Sequence, residues 1–387
     1  MTSSFWVDLD EEDRDGATKS KYPPLEPGSL PSSSTSELRH HQSFLFGYNS
    51  VVTDLRQFHP VENRIFTLCQ VFLESVDPVL KLIHVPVTQR QNIQASQNLA
   101  RIPPAFESLM FAIYYAAVTS FQCSISCRTL LHEEQQAPLD RYRFGVEQSL
   151  AKANFMNAPD VPTLQALTLY LICARQSADK AYVWPMTGLL VRLATRLGLQ
   201  RNHTALGLSP FVSEMRRCLW WQICILDTRI AEENDMDPLI CEHTFDTKLP
   251  ANVNDADLDI SMTQLVSEPH RRTEMLFTLA RFEISYTARK LVFSAKSCVD
   301  NGYPNLSPQE QNDLIESILE VLDEKYLRYC DSTIPICNRA TTSTQMVLAK
   351  IKLTINHPIR NRSARIWQEA STCHVYHSLG TLRYRLL

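Results

Sequence analysis

The sequence predicts an all-α fold, a single large helical domain whose helices cross as an orthogonal bundle. Three observations carry that expectation. The 387 residues contain only nine glycines, few for a chain that would have to turn between many strands. From Val51 onward, apolar residues recur at three- and four-residue spacing. No stretch sustains the alternation of a strand, and no fixed-period repeat is present. With 44% hydrophobic residues, the chain has material for a large core.

The elements follow in order. Residues 1–40 combine an acidic patch with YPPLEPGSLPSSSTS, a composition that cannot repay the entropy of ordering, and are expected to form a disordered leader. Residues 41–387 are expected to form the helical domain. Helix candidates are 62–76, 105–121, 140–155, 162–175, 181–198, 212–234, 270–293, 308–330, 342–356 and 361–384, many of them parted by proline-containing or polar joints. The start at Ser307 is the clearest, with serine at the cap, Pro308 at the first helical position and Glu310 three residues on. The N-terminal MTSSFWVDLDEEDRDG lacks the apolar centre of a signal peptide. The longest apolar stretch, Leu109 to Val118, is too short to span a bilayer.

Charge and cysteine usage narrow the function classes. The formal net charge is −4, and no segment concentrates Lys and Arg as a phosphate-tracking surface would, so direct nucleic-acid binding is unsupported. The eleven cysteines lie mostly inside apolar helical stretches, as reduced, buried residues would. No C-x-x-C pair occurs. Cys123 and Cys127 sit at helical i,i+4 spacing beside Phe121 and Ile125, which fits packing better than metal. Cytosol is the default location, with the nucleus as the other choice.

The stretches GLLVRLATRLGLQRN (188–202), FVSEMRRCLWWQICILDTRIA (211–231) and FDTKLPANVNDADL (245–258) resemble, in that order, the middle homology region of fungal zinc-cluster transcription regulators. The close match covers roughly 70 residues, and flanking helices from about 60 to 350 follow the pattern loosely. Met215, Leu219, Trp220, Ile223 and Leu226 repeat at three and four, while Trp221, Cys224 and Ile225 make that helix apolar nearly all round. Such a helix belongs in the centre of a fold. Asp227, set within it, is expected to pair with a core arginine. The six closely spaced thiolates of a binuclear zinc cluster are absent from this sequence.

Where those regulators carry a Gly-Arg-Pro element, this chain has Glu232-Glu233-Asn234-Asp235-Met236-Asp237-Pro238. Pro238 predicts a helix end close to Asp237. Glu233, Asn234 and Asp237 have the spacing of the aspartate-rich motif with which class I terpene synthases hold magnesium; oxygen donors on adjacent turns suit that hard cation. A second run, Asn312 to Glu320, resembles the other metal motif of those enzymes, with Asn312, Glu316 and Glu320 stacked at i, i+4 and i+8. In both places a solvated acidic surface is the competing reading. Glu320 points away from the apolar face set by Leu314, Ile315, Ile318, Val321 and Leu322, and Glu316 replaces the usual serine or threonine.

A diphosphate also needs cations, and Arg281, Arg289 and Lys290 on one helix, with the pair Arg383-Tyr384 near the C-terminus, are the candidates to grip it. Aromatics such as Phe111, Tyr114, Tyr115, Trp184, Trp220, Trp221, Phe277, Phe282 and Tyr286 could line a carbocation cavity or simply fill the core. No G-x-S-x-G, H-E-x-x-H, P-loop or dinucleotide fingerprint is present. A chain with its own Met, a leader and no zinc cluster reads as complete. Its make-up is similar to the atypical fungal sesquiterpene cyclases of the alpha-humulene synthase family, which look like regulators without the DNA-binding part. That resemblance implies a terpene synthase, a lyase with Mg2+ as cofactor and farnesyl diphosphate as substrate, forming a humulene-type hydrocarbon in fungal secondary metabolism. The alternative is a regulator-like protein acting through protein or ligand contacts.

Overall fold

The computed structural model describes residues 54–121, 124–175, 181–202, 206–264 and 271–356. All of these fall in the compact unit Ser43–Leu387. The expected leader and the candidate helix 361–384 lie outside the described residues. Among the described residues every regular element is helical, as the glycine count and the spacing predict. In chain order the α-helices are α1 (Glu62–Ser75), α2 (Asp77–Leu80), α3 (Val85–Gln97), α4 (Pro104–Thr119), α5 (Ser124–Leu131), α6 (Gln136–Lys152), α7 (Val161–Ala174), α8 (Val183–Arg196), α9 (Pro210–Glu233), α10 (Leu276–Leu291), α11 (Ala295–Asp300), α12 (Pro308–Lys325) and α13 (Pro335–Asn356).

Two helices without a polar face organise the packing. In α4 every residue from Phe106 to Val118 is buried, and α1, α6 and α7 surround it. In α9 the run Cys218 to Thr228 is buried throughout, against α7, α8 and α10. Because α7 touches both neighbourhoods, one core runs from α4 to α9 and on through α10 to α12 and α13. Gly145 sets the distance between α4 and α6. A Cβ there would stand 2.4 Å from Cδ1 of the fully buried Phe111 ring, so only glycine lets the two helices approach this closely.

Helix starts follow local chemistry. Asp160, Ser209 and Ser307 each accept a backbone N–H from the first turn of α7, α9 and α12, with proline just inside each start. At Ser307 the reciprocal bond from Glu310 completes the capping box that the sequence predicts. The end of α9 differs from expectation: the helix stops at Glu233, because Asp235 takes a left-handed backbone (φ 53°) that breaks the ladder before Pro238 acts. α3 is absent from the sequence-based helix candidates because its buried side, Thr88, Asn92 and Ala95, holds two polar residues and no large apolar one.

The turn after α2 is held by side chains from three helices. Thr278 Oγ1 and Arg281 Nη1 of α10 donate to the Val79 carbonyl at 3.1 and 2.8 Å. Gln222 of α9 donates its amide to the Leu80 carbonyl, and Gln165 of α7 donates to the Leu82 carbonyl at 2.5 Å. Between them Lys81 adopts φ 44° and buries its ammonium among Asp77, Asp255 and Glu274, each at 3.1 Å. Burial works against the Lys81 charge, but the three carboxylates outweigh it and hold its pKa above the usual lysine range. Burial pushes Asp77 up to about 6, against the pull of Lys81 and with added repulsion from Asp255 and Glu274.

Candidate functional site

Under α2 lies a cavity of about 30 Å³, bounded by the end of α1, by α2, and by α7, α9 and α10. Its walls are apolar at Val76, Val79, Leu80, Ile172, Ile225 and Leu226. Three half-buried arginines enter it: Arg175 just past α7, Arg229 on α9 and Arg281 on α10. Burial, with repulsion from Arg229 and Arg175, pushes Arg281 down to about 9. Burial also lowers Arg175, opposed by the attraction of Glu233. Gln222 completes the lining; its Oε1 is fully buried and has no hydrogen-bond partner among the described residues.

The acidic motifs do not join this cavity. Glu233 is exposed and lies 3.6 Å from Arg175. The Asn234 amide donates to the Ile230 carbonyl at 2.7 Å, closing the helix end. Asp237 accepts from the Ser294 hydroxyl at 2.5 Å and its N–H at 3.0 Å, tying the loop to the start of α11. In the second run the Asn312 amide donates to the Pro308 carbonyl at 2.8 Å, Glu316 is exposed 3.5 Å from Lys352, and Glu320 is exposed. Glu232 of the first run meets Lys350 at 2.5 Å, so the two runs are paired with lysines two positions apart on α13. Successive side chains on a helix turn by about 100°, so Lys350 and Lys352 point to nearly opposite sides of α13. The six donors thus do not fit a shared magnesium site. Among the described residues no group of three or more His, Cys, Asp or Glu side chains is placed to hold one metal ion.

The basic candidates separate as well. Arg281 faces the cavity, whereas Arg289 is buried and donates to the Ile240 carbonyl. Lys290 Nζ lies 4.4 Å from the centroid of the Tyr286 ring, at cation–π distance. Arg383 and Tyr384 lie outside the described residues. Asp227 does not bond a core arginine: its carboxylate accepts the Leu239 and Ile240 N–H groups at 3.2 and 2.9 Å. Burial raises its pKa against those two bonds. Asp227 and Arg289 therefore grip the 239–240 segment together, one by its amides and the other by a carbonyl.

The aromatic residues build core. Trp221 stacks near Phe282 and Tyr286 at 5.9 and 6.2 Å and donates its indole N–H to the Lys248 carbonyl at 2.9 Å. Phe111, Tyr114 and Tyr142 pack as a chain of tilted and edge contacts. Trp184 is exposed. Sequence reasoning missed Gln222, Arg175 and Arg229 as cavity residues. The signal available was the presence of glutamine and arginine in or beside the most apolar helices, where an unpaired polar group is costly.

Three further observations concern kinship. Residues 69–346 match the model of the fungal specific transcription factor domain. The pyriculol/pyriculariol biosynthesis cluster transcription factor 1 of Pyricularia oryzae is 33% identical over 76% of this chain and 40% of its own length. The aurofusarin cluster transcription factor aurR2 of Gibberella zeae is 29% identical over the whole chain and 57% of its own length. The transcriptional regulator AacuB of Aspergillus aculeatus is 33% identical over 76% of the chain and 40% of its length. The chain thus spans about half the length, or less, of these curated relatives. No solved structure matches.

These findings overturn the enzymatic expectation. The terpene-synthase reading, with its lyase chemistry, humulene product and farnesyl diphosphate substrate, rested on departures from the regulator pattern, yet these three relatives carry regulator names. Magnesium entered only through that reading. The regulator resemblance of Gly188 to Leu258 extends to most of the fold: the chain belongs to the fungal specific transcription factor domain family.

Proposed function

We propose that this protein is a regulatory module controlling expression of a fungal secondary-metabolite gene cluster, and that it acts in the nucleus. The observation that carries this reading is the family match over residues 69–346, supported by relatives named for pyriculol and aurofusarin clusters. The structure is consistent with a binding scaffold. Its polar clusters around Lys81, Asp227 and Glu242 are occupied in holding chain segments together. For this domain the role we infer is contact with protein or ligand partners. The test is deletion and overexpression of the gene in its fungus, with transcripts of neighbouring biosynthetic genes measured. A coordinated change of several-fold supports the reading. Unchanged transcripts under conditions that produce the metabolite overturn it.

A further inference from the structure

The arginine-lined cavity holds features that ordinary core packing does not require. Among the described residues, Arg281 meets the Val79 carbonyl and no carboxylate within ion-pair distance. The carboxylates nearest its two neighbours are loosely placed, at 3.6 Å for Arg175 to Glu233 and 3.5 Å for Arg229 to Glu232, and Glu232 is shared with Lys350 at 2.5 Å. Three cations therefore converge with less negative charge than they can bind. Beside them Gln222 Oε1, in a residue only 1% exposed, accepts no hydrogen bond from the described residues. A buried acceptor left unmatched costs free energy that a donor in the cavity would recover.

The size and wall limit what could fill it. A single water needs about 10–15 Å³ of such volume, so 30 Å³ admits roughly two waters or one carboxylate-sized head group. The remaining wall is aliphatic, at Val76, Ile172 and Leu226 among others. We propose that this cavity binds a small organic carboxylate bearing a hydroxyl group near the acid and an apolar body. The carboxylate lies among Arg281, Arg175 and Arg229. The hydroxyl donates to Gln222 Oε1. The hydrocarbon covers the aliphatic wall and extends to the mouth. Arginine suits the head group because its planar fork pairs with both carboxylate oxygens.

The inference goes beyond the regulatory reading and is tested by binding alone, so transcript measurements and ligand measurements can fail separately. The purified 387-residue protein is titrated calorimetrically with salicylate, 3-hydroxybutyrate, benzoate, methyl salicylate and inorganic phosphate, with thermal melting recorded in parallel. Expected are saturable binding and a raised melting temperature with at least one of the two hydroxy acids, no response to the neutral ester, and several-fold weaker binding of benzoate than of salicylate if salicylate is the acid bound. Arg281→Met should weaken the hydroxy acid about tenfold or more, with Arg281→Lys in between. Without ligand, Arg281→Met should stay folded with only a small fall in melting temperature, because Thr278 still donates to the Val79 carbonyl that Arg281 leaves. If Arg281→Met does not fold, Arg229→Gln serves the same comparison. The proposal is overturned by binding of neither hydroxy acid, by equal affinity for salicylate and its ester, by unaltered affinity in a folded variant, or by an arginine-dependent response to phosphate alone.

Discussion

Gln222 donates its side-chain amide to the Leu80 carbonyl while its own Oε1 stays buried without a partner among the described residues, so one residue both anchors α2 and leaves an unmatched acceptor in a side chain that lines the cavity. This double role explains why a glutamine sits in the middle of an apolar helix. Gln222→Leu should cost about 1–3 kcal/mol, because the Leu80 carbonyl loses its donor while the orphan acceptor disappears with the side chain. Urea denaturation would measure it. A variant more stable than the parent would show that the orphan outweighs the anchor.

Gly145 supports a sharper expectation. Its Cα faces the Phe111 ring, and an added methyl would meet ring carbons at 2.4 to 2.9 Å. The ring is fully buried and cannot swing away. Gly145→Ala should lower stability by about 1–3 kcal/mol despite alanine's better helix propensity. An unchanged denaturation midpoint would mean that α4 and α6 separate at little cost.

Charge removal at Lys81 should be severe. Lys81→Met leaves Asp77, Asp255 and Glu274 facing one another without a cation, an error worth roughly 3–5 kcal/mol. The loss should shrink as acid protonates Asp77, whose carboxyl burial pushes up to about 6. Thermal melts of parent and variant at pH 5 and pH 7 would show the gap narrowing at the lower value; a constant gap would contradict the charge argument.

Asp77 should imprint its own pH dependence. Its folded pKa, about 6, is raised above the ordinary 3.8, so the native state holds a proton that the unfolded chain releases. The sign follows: this contribution to stability is fully present below 3.8 and is lost as pH rises through 6. Asp77→Asn cannot titrate. The stability difference between parent and variant should therefore shift against the parent by on the order of 3 kcal/mol as pH rises from below 4 to above 6. A difference independent of pH would place the carboxylate's pKa near its ordinary value.

The acidic motifs should be inert to folding, in contrast with their buried neighbour. Glu233→Ala and Asn312→Ala remove exposed or helix-end contacts and should change stability by no more than about 0.5 kcal/mol. Asp227→Ala strands the Leu239 and Ile240 amides and should cost about 2–3 kcal/mol. Equal effects for the three variants would refute the distinction between surface and core carboxylates.

The helical class and the central place of the Trp helix were legible because apolar spacing and glycine scarcity are local signals. The Ser307 capping box was legible for the same reason: its partners sit three residues apart. α3 was not, since it buries threonine and asparagine where pattern reading looks for leucine. The acidic runs misled because spacing along a helix says which donors share a face, but not what that face meets. Lys350 and Lys352, 30 and 32 residues beyond Glu320, are what these faces meet. The cavity was hidden for a related reason. Arg175, Gln222, Arg229 and Arg281 come from three separate segments, and only the packing of α7, α9 and α10 brings them to one place.

The turn after α2 also has a mechanical meaning. Val79 and Leu80 form part of the cavity wall, and the next residue, Lys81, is fastened to Asp255 and Glu274 more than 170 positions away. A displacement of α2 that widened the cavity would have to stretch at least one of these contacts or carry Asp255 and Glu274 with it, so the ion cluster braces the cavity wall from outside.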